Sequence, residues 1–156
     1  MFKKILVCLD GSEMAEKVLP YAIEQAKHFE SELVLLRVIH EPSVISLVLP
    51  GMPGVPMETG GMERQIQREE HESETYLKIL AENIRKEAGL QVSYDQTLGV
   101  AGPSIVQFAA DNGVELIAIA THGRSGPGRV VLGSIADYVI RNAELPLLLI
   151  RPSKHK

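Results

Sequence analysis

The chain has no tryptophan, a single cysteine (Cys8), and only three phenylalanines and four tyrosines among its 156 residues. One cysteine closes no internal disulfide and builds no thiolate cage, which excludes a disulfide-framed secreted scaffold and a structural zinc site and agrees with a reducing compartment. Long apolar runs are missing too. Ile5–Leu9 and Leu116–Ala120 are far shorter than the ~20 residues a membrane-spanning helix needs. The opening Met-Phe-Lys-Lys leads straight into an apolar stretch with no small-residue cleavage site after it, so it reads as the start of a strand, not a signal peptide, and a cytoplasmic location is expected. There is no excess of basic charge: sixteen Lys and Arg face twenty Asp and Glu, a net charge of −4, so no field attracts polyanions and no nucleic-acid partner is expected. Two phosphate motifs are absent. The sequence holds no G-x-x-x-x-G-K-[ST], and its first apolar run leads to Asp10-Gly11-Ser12-Glu13 instead of G-x-G-x-x-G, which excludes a P-loop enzyme and a nicotinamide dehydrogenase. A two-component receiver is excluded as well, because it wants an acidic pair after the first strand and a phosphorylatable Asp after the middle one.

What is present is an aliphatic core. Hydrophobic residues make up 45% of the chain, enough with so small a net charge to fold one domain over 1–156. Phe2–Leu9, Leu33–Ile39, Leu116–Ala120 and Leu147–Ile150 are near-continuous apolar runs, the pattern of strands buried on both faces, and Gln91–Leu98 alternates as a strand nearer the sheet edge does. Helical spacing lies between them. Residues 13–29 place Ala15, Val18, Leu19, Ala22, Ile23 and Ala26 on one face behind Ser12 as N-cap, with Pro20 predicting a kink or a late start. Residues 62–88 carry their apolar stripe only in the second half, so the first half is expected to project past the sheet. Residues 103–112, opened by Gly102-Pro103, and 134–143, with Ile135, Ala136, Val139, Ile140 and Ala143 on one face, complete the set. Strands alternating with helices predict an α/β domain in three layers, with helices on both faces of an open, mostly parallel five-stranded sheet. The irregular stretch 41–61 holds four of nine prolines and four of thirteen glycines and reads as an insertion after the second strand.

In such a sheet ligands lie beyond the carboxyl ends of the strands, at the point where strand order reverses. Three segments end strands there: Asp10-Gly11-Ser12, Val38-Ile39-His40, and the glycine-rich run from Thr121 through His122, Gly123, Arg124 and Arg129 to Gly133-Ser134. Residues 121–134 contain two arginines and no acid. Glycines expose backbone N–H groups and a helix N-terminus adds unpaired donors, so this run suits a small anion; equally, it reads as a turn and a helix cap alone. Asp10 reads alone as an acidic turn residue, His122 as a loop residue, and Glu69-Glu70-His71-Glu72 as a solvated helix face with no metal signature.

These residues resemble the universal stress proteins along the whole chain. The resemblance rests on Lys4-Ile5-Leu6-Val7 followed by Asp10-Gly11-Ser12, on Leu36-Arg37-Val38, and on Pro146-Leu147-Leu148-Leu149-Ile150-Arg151. The nucleotide-binding branch of that family carries G-x2-G-x9-G-[ST]. Gly123 and Gly133-Ser134 match it, while its first glycine falls on Ala120. The resemblance implies a Rossmann-like sheet of order 3-2-1-4-5 and binding of ATP, with AMP or ADP as related ligands and Mg²⁺ carried on the phosphates. It further implies Asp10 at the ribose, Val38 at the adenine, Ala120, Gly123, Gly133 and Ser134 at the phosphates, and Ile135 adding a helix N-terminal amide. Arg124 joins these on its charge and position alone. The same resemblance implies a homodimer through strand 147–151 and a nucleotide-responsive regulator or binding module in the stress response. A slow ATPase or phosphotransferase, and an interaction protein that binds no nucleotide, stand as alternatives.

Overall fold

The computed structural model describes residues 1–41, 60–121, 124–126 and 129–151. The insertion from 42 to 59 and the loop residues His122 and Gly123 lie outside them. Strand β1 (Lys4–Leu9) is followed by a one-turn helix α1 (Glu13–Glu16) and by α2 (Leu19–Phe29). Ser12 caps α1, its Oγ accepting the Ala15 N–H at 3.1 Å. The 13–29 segment therefore divides before Pro20, which occupies the first turn of α2, where its missing N–H has no intrahelical partner to lose. Next come β2 (Glu32–His40), the long helix α3 (Gly60–Ala88) and β3 (Val92–Gly99). Helix α4 (Ala101–Asp111) starts two residues ahead of the predicted Pro103, with Val100 as its N-cap. Strand β4 (Leu116–Ala120), the short strands β5 (Arg124–Gly126) and β6 (Arg129–Val131), helix α5 (Ser134–Asn142) and strand β7 (Leu147–Ile150) complete the described chain.

Five strands form one sheet in the order β3-β2-β1-β4-β7, every pair parallel. Counted along this sheet alone, the order is 3-2-1-4-5, as the resemblance implies. Side chains alternate along β1: Ile5, Val7 and Leu9 face α1, α2 and α3, while Leu6 and Cys8 face α4 and α5. Two cores result, one on each face of the sheet, and β1 and β4 between them read as uninterrupted apolar runs because both of their faces are covered.

Helix α3 is 29 residues long, about 43 Å at 1.5 Å per residue, and outreaches every strand beside it. Its buried residues, Ser73, Leu77, Ala81 and Ile84, begin only at about its midpoint, in line with the predicted overhang. Helix α5 covers less than its periodicity suggests. Ala136 and Val139 are buried, but Ile135 and Ile140 are about two-fifths exposed, because α5 packs on α4 at the sheet margin. That packing is close: a β-carbon on Gly102 would stand 2.8 Å from the Tyr138 ring, so the start of α4 admits no larger residue there. The antiparallel β5–β6 pair is absent from the sequence expectation, which treats 121–133 as loop.

Candidate functional site

Strand β1 is flanked by β2 on one side and β4 on the other, so the connections leave it in opposite directions and a crevice opens at their carboxyl ends. A cavity of about 490 Å³ fills this crevice, within the range of small-molecule sites. Its walls come from four directions. Cys8, Leu9 and Asp10 end β1, and Leu36, Val38 and His40 end β2. Ile119, Ala120 and Thr121 end β4, and the helix starts contribute Ala101 and Ile105 from α4 and Gly133, Ser134, Ile135 and Ala136 from α5. The lining is mostly aliphatic, with Asp10, His40, Thr121 and Ser134 as its polar groups.

Six of the residues singled out from the sequence, Asp10, Val38, Ala120, Gly133, Ser134 and Ile135, meet at this one cavity. Gly123 lies outside the described residues. Arg124 is placed by its backbone alone, opposite Val131 in the β5–β6 pair.

Local chemistry explains the arrangement. The exposed Asp10 carboxylate accepts the Ser12 N–H at 2.8 Å, which bends the chain sharply at the end of β1. At the far wall the Gly133 N–H donates to Oγ1 of the buried Thr121 at 3.2 Å, fixing the start of α5 against the end of β4. Gly133 is the N-cap of α5 and offers no side-chain cap. The N–H groups of the first helical turn therefore remain as donors at the cavity wall, with the positive end of the helix dipole behind them.

Burial pushes the Cys8 thiol up to about 12, so at neutral pH it stays protonated and is no activated nucleophile. Among the described residues no group of three or more His, Cys, Asp or Glu converges to hold a metal ion, and no helix is long and apolar enough to cross a membrane. Thr121, His40, Ala101 and Ile105 are wall residues that the sequence does not distinguish. The first two sit in strand-end segments whose position alone marks them, and the α4 pair becomes visible only once α4 is packed beside α5.

A sequence model of the universal stress protein family matches residues 1–151. The universal stress protein YxiE of Bacillus subtilis is 33% identical over 155 residues, covering 97% of this chain and 100% of its own length. The universal stress protein MJ0531 of Methanocaldococcus jannaschii is 30% identical over 154 residues, covering 99% of this chain and 85% of its own. Among solved structures, the universal stress protein UspA from Lactobacillus plantarum has a TM-score of 0.77 at 19% identity, covering 96% of this chain and 97% of its own. A family protein of Arabidopsis thaliana with AMP bound has a TM-score of 0.65 at 14% identity, covering 97% and 93%. A universal stress protein in complex with cAMP has a TM-score of 0.60 at 16% identity, covering 96% of each chain. The structural likenesses, all at low identity, speak to the fold; the match along residues 1–151 and the identity to YxiE and MJ0531 speak to ancestry, and the chain belongs to the universal stress protein family.

Proposed function

We propose that this chain binds an adenine nucleotide in the cavity at the ends of β1, β2 and β4, with ATP as the full ligand and Mg²⁺ carried on its phosphates. The observation that carries this reading is the pairing of a mostly aliphatic lining with the start of α5, whose N-cap offers no side chain, in one cavity of about 490 Å³. The base rests between Val38 and neighbouring aliphatic groups, since no tryptophan exists to stack on it. Asp10 accepts hydrogen bonds from the ribose hydroxyls. Ala120, Gly133, Ser134 and Ile135 face the phosphates, and Gly123 and Arg124 are assigned to the same group from the sequence. Structural relatives with AMP or cAMP bound support an adenine nucleotide as the ligand class. A metal held only by phosphates is consistent with the lack of a carboxylate cluster among the described residues.

The protein acts, on this reading, as a cytoplasmic nucleotide-responsive binding module. It pairs with a second copy through residues 147–151, where all four residues of the terminal strand β7 are half-buried at the sheet margin. A slow ATPase or phosphotransferase using Asp10 or His122 is the lesser reading, because the sequence offers no recognisable general base or activated nucleophile beside the phosphate-facing residues.

The test is direct. Purified protein is denatured and any released nucleotide identified, after which ATP is titrated into the nucleotide-free form with Mg²⁺ present. Micromolar binding is expected, and Asp10→Ala is expected to weaken ATP while leaving inorganic triphosphate nearly unaffected. No binding, or equal losses for both ligands, defeats the assignment. Hydrolysis above that of a Gly133→Glu control would restore the enzymatic reading.

A further inference from the structure

Along β2, Leu33 and Leu35 point into the apolar core beneath α1–α3, and the next residue on that face is Arg37. An aliphatic side chain there would continue the core at no desolvation cost, so an arginine calls for a different explanation. Its guanidinium lies under the turn that carries Asp10: a β-carbon on Gly11 would stand 3.2 Å from Cζ of Arg37 and 3.3 and 3.4 Å from its two Nη atoms. Gly11 itself has φ +83°, in the left-handed region, so the turn depends on glycine for its conformation, and a side chain there would press on the guanidinium.

From the other side, Cζ of Arg37 stands 5.9 Å from the ring centroid of Tyr76 on α3, within cation–π range. The Tyr76 hydroxyl donates to Oε1 of Glu16 at 2.8 Å. Arg37, Tyr76 and Glu16 thus brace the segment 10–16 at both ends, Gly11 at one and α1 at the other. Arg37 is not part of the cavity wall. Whatever it does for a ligand it does through the turn above it.

We propose that Arg37 is a positioning residue for the nucleotide: with Tyr76 and Glu16 behind it, it holds the Asp10-Gly11-Ser12 turn so that the Asp10 carboxylate is presented to the sugar hydroxyls. This rests on the nucleotide reading above and names the support of one of its contacts. A residue that acts only through Asp10 has a specific energetic signature, because its removal costs affinity when Asp10 is present and little when Asp10 is already gone.

The experiment is a double-mutant cycle on the full chain, read by calorimetric titration of ATP, with inorganic triphosphate as a second probe. Arg37→Gln is expected to weaken ATP about tenfold in the wild-type background and less than about twofold in the Asp10→Ala background, with triphosphate changed less than about twofold in either. Arg37→Lys, which keeps the charge but not the planar stack, is expected to recover part of the loss and serves in the same cycle if Arg37→Gln does not fold. An ATP affinity within twofold of wild type for the Arg37 variant, or equal losses in both backgrounds, overturns the role given to Arg37. A wild-type protein that binds neither probe overturns the nucleotide reading itself, and the two failures are thereby distinguished.

Discussion

Thr121 and Gly133, twelve residues apart, are joined by a hydrogen bond of 3.2 Å from the Gly133 N–H to Oγ1 of Thr121, which ties the start of α5 to the end of β4. Thr121 is almost wholly buried, and its hydroxyl occupies the N-cap amide of α5 while the next amides of that turn stay open to the cavity.

Replacing Thr121 by Val keeps the shape and removes the acceptor. The Gly133 N–H then loses its partner, at a cost of about 1 kcal/mol in stability, and the start of α5, where the phosphates are proposed to lie, is no longer tied to β4. Thr121→Val is expected to lower the denaturation midpoint slightly and to weaken ATP more than it weakens adenosine. Thr121→Ser, which keeps the oxygen, is expected to restore both. Calorimetric titration of the two ligands checks this, and a loss shared equally by ATP and adenosine would contradict it.

Gly133 supplies a prediction in which stability and binding move apart. Its backbone angles, φ −61° and ψ 151°, are those of an ordinary N-cap and accept a side chain without strain. Aspartate is a better cap than glycine by a few tenths of a kcal/mol and its charge suits the helix dipole, but the same charge sits where the phosphates are proposed to lie. Gly133→Asp is therefore expected to leave the melting temperature unchanged or slightly raised while reducing ATP affinity by at least an order of magnitude. Thermal unfolding and ATP titration on the same preparation decide it; a variant that binds ATP as wild type does would remove the phosphates from the α5 terminus.

Strand and helix placement is legible in this chain because periodicity is a local property. Ile5–Leu9 and Leu116–Ala120 are unbroken apolar runs and prove to be neighbouring central strands. Asp10, Val38 and Gly133 were reachable by one further rule, that parallel strands present their carboxyl ends to ligands. What was not legible depends on contacts between distant elements. Ala101 and Ile105 belong to the cavity only because Gly102 lets α4 approach Tyr138 so closely, and no pattern within residues 101–111 discloses that. Arg37 looks like a polar interruption of a strand until Tyr76, on another helix, is brought over it. The β5–β6 pair is hidden for a different reason: strands of only three residues, RSG and RVV, carry too little alternation to register.

Helix α3 makes a prediction about stability alone. Its surface is largely charged, and among its fully buried residues Leu77, at 0% exposure, is the largest, seated between Ser73 and Ala81 on the same stripe. Leu77→Ala removes the largest of the four buried residues by which this helix is seated in the core. A loss of about 2–5 kcal/mol is expected, the usual cost of emptying a leucine site in a packed core, measured by urea denaturation. A loss below 1 kcal/mol would mean that α3 is held chiefly by its polar contacts to β3, such as the Arg85 guanidinium donating to the Val92 carbonyl.

Cys8 links the cavity to pH. Burial pushes its thiol from the usual 9.0 up to about 12, so the folded chain keeps a proton that the unfolded chain releases at lower pH. Where the unfolded state binds fewer protons, stability falls as pH rises. The contribution of Cys8 is thus fully present below pH 9 and is lost progressively between about 9 and about 12. Tyr76, raised in the same direction by burial and by Glu16, adds to the decline in that alkaline range. Cys8→Ala removes one of the two protons involved, so its urea midpoint is expected to start lower, from the lost packing, but to fall less steeply with pH than that of the wild type. Two curves that run parallel from pH 8 to 11 would show that Cys8 ionises in the folded chain as readily as in the unfolded one, and that the floor of the cavity is open to water.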